Sequence, residues 1–515
     1  MALAKYFSKD LLAINRLINT NQKAFEDILN NKIIAIAFDE NAILTEEGKN
    51  GLDLIIRLVA RLYPKIKFID LSEQNGETKG RFEKLALEIN GNLEIVSDIE
   101  KEDILILAGI TSKPVNSSVQ TLYFGSDNWI SKYSIKEQQS FNSTTNPFGC
   151  GIAACIVFSN VFRIFFSEFM DYKELDVELQ LSTFTFNTAE NPELDKVTFE
   201  DVVIAGIGAI GNGVVWSLSK IQNLQGKLAL VDGEEISKSN LQRYVLFKES
   251  DENKDKVEVA NKFFNQKDLI VNPFKGEWKD YVQNRNNWDI DCVAVGIDNE
   301  KGRIGIQSSL PRILFNAFTE PESIGISKHL DFVNQPCLAC YYIPNSKKIN
   351  RTEEVAVNCG ISDKVDLIKD YYNYNANVED VLPNKTQSLL QEISISHNIP
   401  IEELSQYNGK KVDDFYSDYI CGGTVLQLSK NNNEIHDVDA PLAFQSAIAG
   451  LLLASEVVKY QMQFKNNQCN RIDFYHLSPI TELNPFQRDI TKNVTGNCLC
   501  NDEYYIDRYN EKWKK

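Results

Sequence analysis

The amino-acid sequence predicts an α/β protein of two doubly wound units, the first degenerate, with a helical insertion in the second. Three features carry that reading. Strands alternate with helices along the first third of the chain, a second alternation opens at Val202, and two apolar helical stretches, 147–162 and 440–455, share a pattern. Alternation predicts a parallel sheet, because parallel neighbours need a long crossover connection and a helix supplies it. The 515 residues hold about three domains of ~150 residues or two larger ones. Hydrophobic and charged fractions of 43% and 24% exclude a fibrous or disordered chain.

Residues 9–30 place Leu11, Leu12, Ile14, Leu17 and Ile18 at helical spacing, and 32–38 is a β-branched run of strand length. A helix at 51–63, a strand at 65–71, a helix at 80–90 and a strand at 103–108 follow. The turn after the first strand, from Asp39 to Glu47, has no closely spaced glycines and several carboxylates where a phosphate would sit, so this unit is expected to bind no nucleotide. The stretches 147–162 and 440–455 fall short of the ~20 apolar residues of a membrane span and carry Ser, Asn or Gln, so both read as buried helices. Ile152, Ala153, Ser159, Val161 and Arg163 match Ile448, Ala449, Ser455, Val457 and Lys459 at one constant offset. Either the fold is duplicated or two buried, Ala-rich helices look alike.

The more polar stretch 185–200 reads as a linker between a unit at 1–184 and a unit at 185–515. Beyond it, 202–206 is a buried strand, 211–222 a helix, and 227–231 the next strand, ending at Asp232. The stretch 345–430 is rich in Asn, Asp and Tyr, with helical pieces at 378–397 and 400–417, and reads as an insertion; a polar tail, 491–515, closes the chain.

With 54 Lys and Arg against 72 Asp and Glu, the net charge is −18, and the pI is near 4.9. That balance argues against a nucleic-acid partner, which needs a basic stripe. No charged n-region precedes an apolar core at the start, so no signal peptide and no membrane partner are expected. Ten cysteines are too sparse for a disulfide scaffold, and two close pairs have metal-ligand spacing, which places the protein in a reducing cytoplasm.

Gly206, Gly208 and Gly211 follow a strand and open a helix, and Asp232 lies about 20 residues further on. Glycines permit a tight turn and close approach to phosphate, the helix N-terminus offers amides, and the acid takes ribose hydroxyls. This signal leaves NAD and ATP open. The residues that follow are Glu234, the run Ser239-Asn240-Leu241-Gln242-Arg243, Lys256 opening a helix, and a strand ending at Asp298. With Cys337-x-x-Cys340 and the Pro441 to Gly450 helix carrying Glu456 and Lys459 beyond it, this order resembles the ThiF/MoeB/ubiquitin-activating enzyme family over roughly 200 to 500. The resemblance implies two Rossmann-like, ThiF-type units forming a pseudo-dimer. It implies that Asp232 holds the ribose of ATP, that Asn240, Arg243 and Lys256 contact its phosphates, and that Asp298 holds Mg²⁺. Glu234 departs from the family's usual Asp by one methylene. An arginine from the partner unit's first helix completes such sites, and Arg16 occupies that place here.

Cys337, Cys340, Cys498 and Cys500 form a candidate Zn²⁺ site, although the second pair is Cys-x-Cys. Cys421, followed by two glycines, is the candidate thioester nucleophile, with Cys359 its competitor. Asp413, Asp414 and Asp418 would weaken the Cys421 thiolate. Cys150, Cys155, Cys292 and Cys469 read as core thiols, and His329, His397, His436 and His476 lie in no catalytic motif.

The resemblance implies ATP-dependent adenylation of the C-terminal carboxylate of a ubiquitin-like protein, then thioester formation and transfer to a conjugating enzyme supplied in trans. No conjugating domain is legible in the chain. A bacterial ubiquitination-like pathway, with phage defence as an analogy, is the expected setting. A sulfur-carrier or peptide adenylyltransferase without the thioester step is the alternative; an NAD-dependent oxidoreductase and an inert scaffold are more distant.

Overall fold

The computed structural model describes residues 22–167 and 175–343 with short breaks at 74–75, 98, 116–117, 187, 286–287 and 321–322. It then describes 390–391, 401, 442–464, 471–475, 484–488, 490–493, 496 and 498–514. By its contacts the chain divides into two compact bodies, and both units expected from the sequence, 1–184 and 185–515, contribute to the larger one. One comprises Leu17–Ile343 with Met1–Phe7 and Pro441–Lys515 and contains both sheets. The other comprises Ser8–Arg16 with Pro344–Ala440, and all but residues 390, 391 and 401 of it lies outside the described residues.

The first sheet follows α1 (Gln22–Asn31). Its opening strand β1 (Ile34–Phe38) is buried along its whole length, as a central parallel strand covered on both faces must be. Two helices come next, α2 (Glu40–Leu44) and α3 (Glu46–Leu62). The Thr45 hydroxyl accepts from the Gly48 amide at 3.1 Å, and this cap starts α3 five residues before the periodicity suggests. The order continues β2 (Lys65–Asp70), α4 (Glu77–Ile89), β3 (Glu94–Ile95), β4 (Ile104–Ala108), β5 (Gln120–Asp127), β6 (Ile130–Ser134), α5 (Pro147–Phe166) and β7 (Glu178–Ser182). The sheet reads β3-β2-β1-β4-β5-β6-β7, with β6 and β7 antiparallel. Register pairs Ile36 with Phe68 on one side and with Ile106 on the other.

The second sheet repeats this plan. It contains β8 (Val197–Ala205), α6 (Ala209–Lys220), β9 (Leu224–Asp232), α7 (Lys256–Asn261), β10 (Leu269–Lys275), α8 (Trp278–Gln283), β11 (Cys292–Val295), α9 (Glu300–Ser308), β12 (Ile313–Glu320), β13 (Ser323–His329), α10 (Ala443–Gln461), β14 (Arg471–Tyr475) and β15 (Asn484–Arg488). A last helix, α11 (Glu503–Trp513), follows. The order β10-β9-β8-β11-β12-β13-β14 matches the first sheet strand for strand, and β15 is added at the edge. In both sheets the long apolar helix, α5 or α10, lies between the first and second antiparallel strands. Topology therefore favours duplication as the origin of the shared helical pattern. The stretch 185–200 is not all linker, because Val197 to Glu200 already belong to β8, and Val197, Thr198 and Phe199 pair across to β9.

Within each half a helix packs on the long apolar one, α3 on α5 and α6 on α10, and the halves join through α5, which packs on both α10 and α6. At Gly213 and Gly450 the second of these contacts is so close that a Cβ on Gly450 would lie 2.7 Å from the Gly213 Cα. Helix α5 is long and apolar enough to cross a membrane, yet it is buried within the fold along almost its entire length.

Candidate adenylation site

The parallel strands β8, β9 and β11 end on one edge, where the order reverses between β8 and β11, the crevice in which open α/β sheets hold ligands. Gly206 leaves β8 with φ 92°, a conformation favouring glycine, and a Cβ there would meet the Ile297 side chain at 2.6 Å. A Cβ on Gly211 would strike the Gly206 carbonyl, and Gly208 opens α6 at its N-terminus. Gly206 and Gly211 thus have a steric reason, whereas a Cβ on Gly208 would make only ordinary contacts, the nearest with the Tyr244 hydroxyl at 3.7 Å; the amides of α6 are left facing the crevice.

Asp232 ends β9. Its Oδ2 accepts from the Ile207 amide at 2.7 Å and its Oδ1 from the Glu234 amide at 2.9 Å, so one carboxylate ties the glycine turn to the following loop. Burial pushes the Asp232 carboxyl up, opposed by the Lys256 ammonium and these two amides. Lys256, at the start of α7, is buried and pairs with Glu234, whose extra methylene reaches it; its Nζ also donates to the Tyr244 hydroxyl at 3.2 Å. Burial opposes the Lys256 charge, but Tyr244, Asp232 and Glu234 outweigh it and hold the pKa above its ordinary value. A phosphate entering here meets an ammonium that is already charged.

Asn240 uses its Oδ1 to accept from the Ser237 amide at 3.0 Å, closing the turn that presents the next residues. Arg243 is half-buried, and its guanidinium makes no hydrogen bond or ion pair among the described residues. Asp298 follows Ile297 on the exposed rim beyond β11, likewise uncommitted, while Asn299 rather than Asp298 caps α9 by accepting from the Gly302 amide at 2.6 Å. The carbonyl of Ile297 is held by Arg303 through Nε at 3.0 Å and Nη2 at 2.7 Å. Arg16 lies outside the described residues.

Two residues escape the sequence reading. Asn212 donates from Nδ2 to the carbonyls of Ile207 and Gly208 at 3.0 Å each, and its Oδ1 accepts from the Leu246 amide at 3.2 Å. It staples the glycine turn to the loop carrying Arg243. Tyr244 sets the Lys256 ammonium beside Gly208. The adjacency of each to a motif residue is the available signal, since the partners that define their roles, Leu246 and Lys256, lie 34 and 12 residues away.

The corresponding edge of the first sheet carries acids that satisfy one another's neighbours. Asp39 accepts from Thr111, Glu40 accepts from the Glu73 amide at 2.8 Å, and Asp70 accepts from the Ser72 amide at 2.9 Å.

Cys337, Cys340, Cys498 and Cys500 are buried, with thiols within 4.8 Å of one another. Separations of 3.4 to 3.9 Å bracket the ~3.8 Å that a tetrahedral ion with ~2.3 Å bonds to sulfur requires. The Cys-x-Cys spacing brings both thiols into the cluster, because Cys498 and Cys500 flank the start of a single 3₁₀ turn. Cys150, Cys155 and Cys292 are core thiols whose pKa values burial raises. Cys359, Cys421, Cys469, His397, His436 and His476 lie outside the described residues. His329 is structural: its Nδ1 donates to the Pro336 carbonyl at 2.9 Å, its Nε2 meets the Ser327 hydroxyl at 3.0 Å, and burial lowers its pKa to about 4. Glu456 and Lys459 also serve packing, with the Lys459 ammonium donating to the Thr183 and Phe184 carbonyls at 2.8 and 2.9 Å.

The sequence model of the ThiF family matches residues 180–498, more than half of the chain. A model described as Prokaryotic E2 family C matches residues 37–167, a stretch in which the sequence reading found no conjugating domain. The uncharacterized protein y4jF of Sinorhizobium fredii is 31% identical over 518 residues, spanning 100% of this chain and 98% of its own. Among solved structures, E. coli MccB with ATP is 17% identical, with 59% of this chain and 67% of that chain covered and a TM-score of 0.35. PaaA is 13% identical, with 57% and 64% covered and a TM-score of 0.31.

Proposed function

The chain belongs to the ThiF family, and from that premise we propose that it adenylates the C-terminal carboxylate of a ubiquitin-like protein. One observation carries the reading. The charged, buried ammonium of Lys256 is held by Tyr244, whose hydroxyl lies beside Gly208 at the switch point of the sheet, and the guanidinium of the adjacent Arg243 and the carboxylate of Asp298 beyond β11 are uncommitted among the described residues.

In the proposed reaction a carboxylate oxygen attacks the α-phosphorus of ATP, the bond from that phosphorus to the bridging oxygen breaks, and pyrophosphate leaves with the electron pair. Negative charge builds on the phosphates as this happens, and Arg243, Lys256 and the α6 amides offset it. Asp298 would hold Mg²⁺, which neutralises and orients the polyphosphate. Cys337, Cys340, Cys498 and Cys500 would hold a structural Zn²⁺, with no part in the chemistry.

A thiolate, Cys421 or Cys359, then attacks the acyl carbon, forming a thioester and releasing AMP. Transfer to a separate conjugating enzyme is favoured by the first unit's chemistry. The only cysteines in the stretch matched by the E2 model, Cys150 and Cys155, are fully buried in α5. The cellular setting proposed is a bacterial ubiquitination-like pathway, with phage defence one form of it.

Calorimetry with Mg·ATP and with NAD tests the first step without any partner. The wild type is expected to bind Mg·ATP, and Asp298→Ala to weaken that binding about tenfold or more. Binding of NAD alone would overturn the reading in favour of a dinucleotide enzyme. For the second step, the wild type is expected to form a thiol-sensitive adduct with its partner that Cys421→Ala loses while pyrophosphate exchange persists. No adduct in the wild type would favour a sulfur-carrier or peptide adenylyltransferase.

A further inference from the structure

We infer that Arg61, on helix α3 of the first unit, is a positioning residue for the adenylation site of the second, fixing the loop that carries Arg243. The inference rests on the adenylation reading. Residues 241–247 form neither helix nor strand, so their carbonyls lack the partners regular structure provides. The first unit supplies them. Arg61 is 2% exposed; it donates from Nε to the Leu241 carbonyl at 3.1 Å, and from Nη2 to those of Tyr244 and Phe247 at 2.5 and 2.6 Å. Its Nη1 donates to the Arg57 carbonyl at 2.8 Å, which holds the guanidinium plane against its own helix.

Arg57, one turn earlier, donates from Nη1 to the Val245 and Leu246 carbonyls at 3.1 Å each. Its Nε donates to Asp53 at 2.9 Å, and the same Asp53 oxygen accepts from the Trp216 indole of α6 at 2.7 Å. Asp53, Arg57 and Arg61 are spaced four apart and so share one face of α3. That face takes five of the seven carbonyls in 241–247. Arg243 lies between two of them, Leu241 and Tyr244, and Asn212 fixes the same loop from the glycine turn. A planar fork with five donors in fixed geometry suits diverging carbonyls in a way that a single ammonium does not.

The test uses the full chain and two ligands. In Arg61→Lys, affinity for Mg·ATP is expected to fall about tenfold, as a misplaced phosphate ligand would cause. Affinity for adenosine, which lacks phosphates, is expected to stay within about twofold. In an Arg243→Ala background Arg61→Lys should cost nothing further, because residues acting through one another are not additive. Unchanged Mg·ATP affinity, equal losses for both ligands, or additive losses with Arg243→Ala would each overturn the inference. If Arg61→Lys does not fold, Arg57→Lys, which disturbs two of the five carbonyl contacts, is measured against the same ligands and criteria. A wild type that fails to bind Mg·ATP overturns the adenylation reading itself, whereas normal wild-type binding with an indifferent Arg61→Lys overturns the positioning role alone.

Discussion

Asp53 is a carboxylate in the contact between the two halves, and its surroundings decide its charge. Burial by itself would raise its pKa, but Arg57, Lys220 and the Trp216 indole hold the carboxyl well below the usual carboxylate range. A folded pKa below the unfolded value of ~3.9 means stabilisation that is fully present above that value and is lost as pH falls through the folded one. Asp53→Asn leaves the Arg57 guanidinium without its counter-charge, a loss expected to cost about 3 kcal/mol at pH 7. Denaturant unfolding of the two proteins should show that gap narrowing below pH ~4. A gap that stays constant to pH 2 would mean that the charge of Asp53 is not what stabilises the contact.

At the scale of elements, α6 is fixed at both ends of its function, since its first turn forms the glycine site and its flank packs on α10. A Cβ on Gly450 would lie 2.7 Å from the Gly213 Cα and against the Ile210 carbonyl, in the glycine turn itself. Gly450→Ala is therefore expected to push α6 away, costing about 2 kcal/mol of stability and weakening Mg·ATP binding. An unchanged melting temperature would show that the helices give way freely. This element also marks what the sequence reveals. The glycine turn, the strand before it and Asp232 are local in the chain, so spacing exposes them, and the buried run at 34–38 announces a central strand in the same way. Strands β5, β6 and β7 are not legible, because polar and apolar residues alternate in them without a boundary signal; the start of α3 depends on the Thr45 cap. Arg57 and Arg61 read as ordinary polar positions of an amphipathic helix, and their partners lie about 180 residues away. Asn212 is hidden because its tie to the Arg243 loop, through the Leu246 amide, spans 34 residues.

Across the whole molecule, the cysteine cluster links the end of the chain to the centre of the second sheet. Cys498 and Cys500 anchor the start of α11, whose Tyr509 hydroxyl donates to the Arg312 carbonyl at 2.8 Å and whose Trp513 indole donates to the Leu310 carbonyl at 2.9 Å. From Cys340 the chain runs directly to Tyr342, whose hydroxyl accepts from Arg303 at 2.5 Å; Arg303 in turn holds the Ile297 carbonyl beside Asp298. A metal at the cluster would therefore support both the tail and the rim that carries Asp298. Removing it with a chelator, or weakening the site by Cys498→Ser, is expected to lower the melting temperature by on the order of 5 °C and to raise hydrogen exchange over 498–513. Mg·ATP affinity should fall as well, but by less than in Asp298→Ala, because the carboxylate remains and only its support is loosened. A chelated protein with unchanged exchange in the tail would show that the four thiols pack without a metal, while full loss of Mg·ATP binding would show that the rim depends on the cluster for its fold and not only for its position.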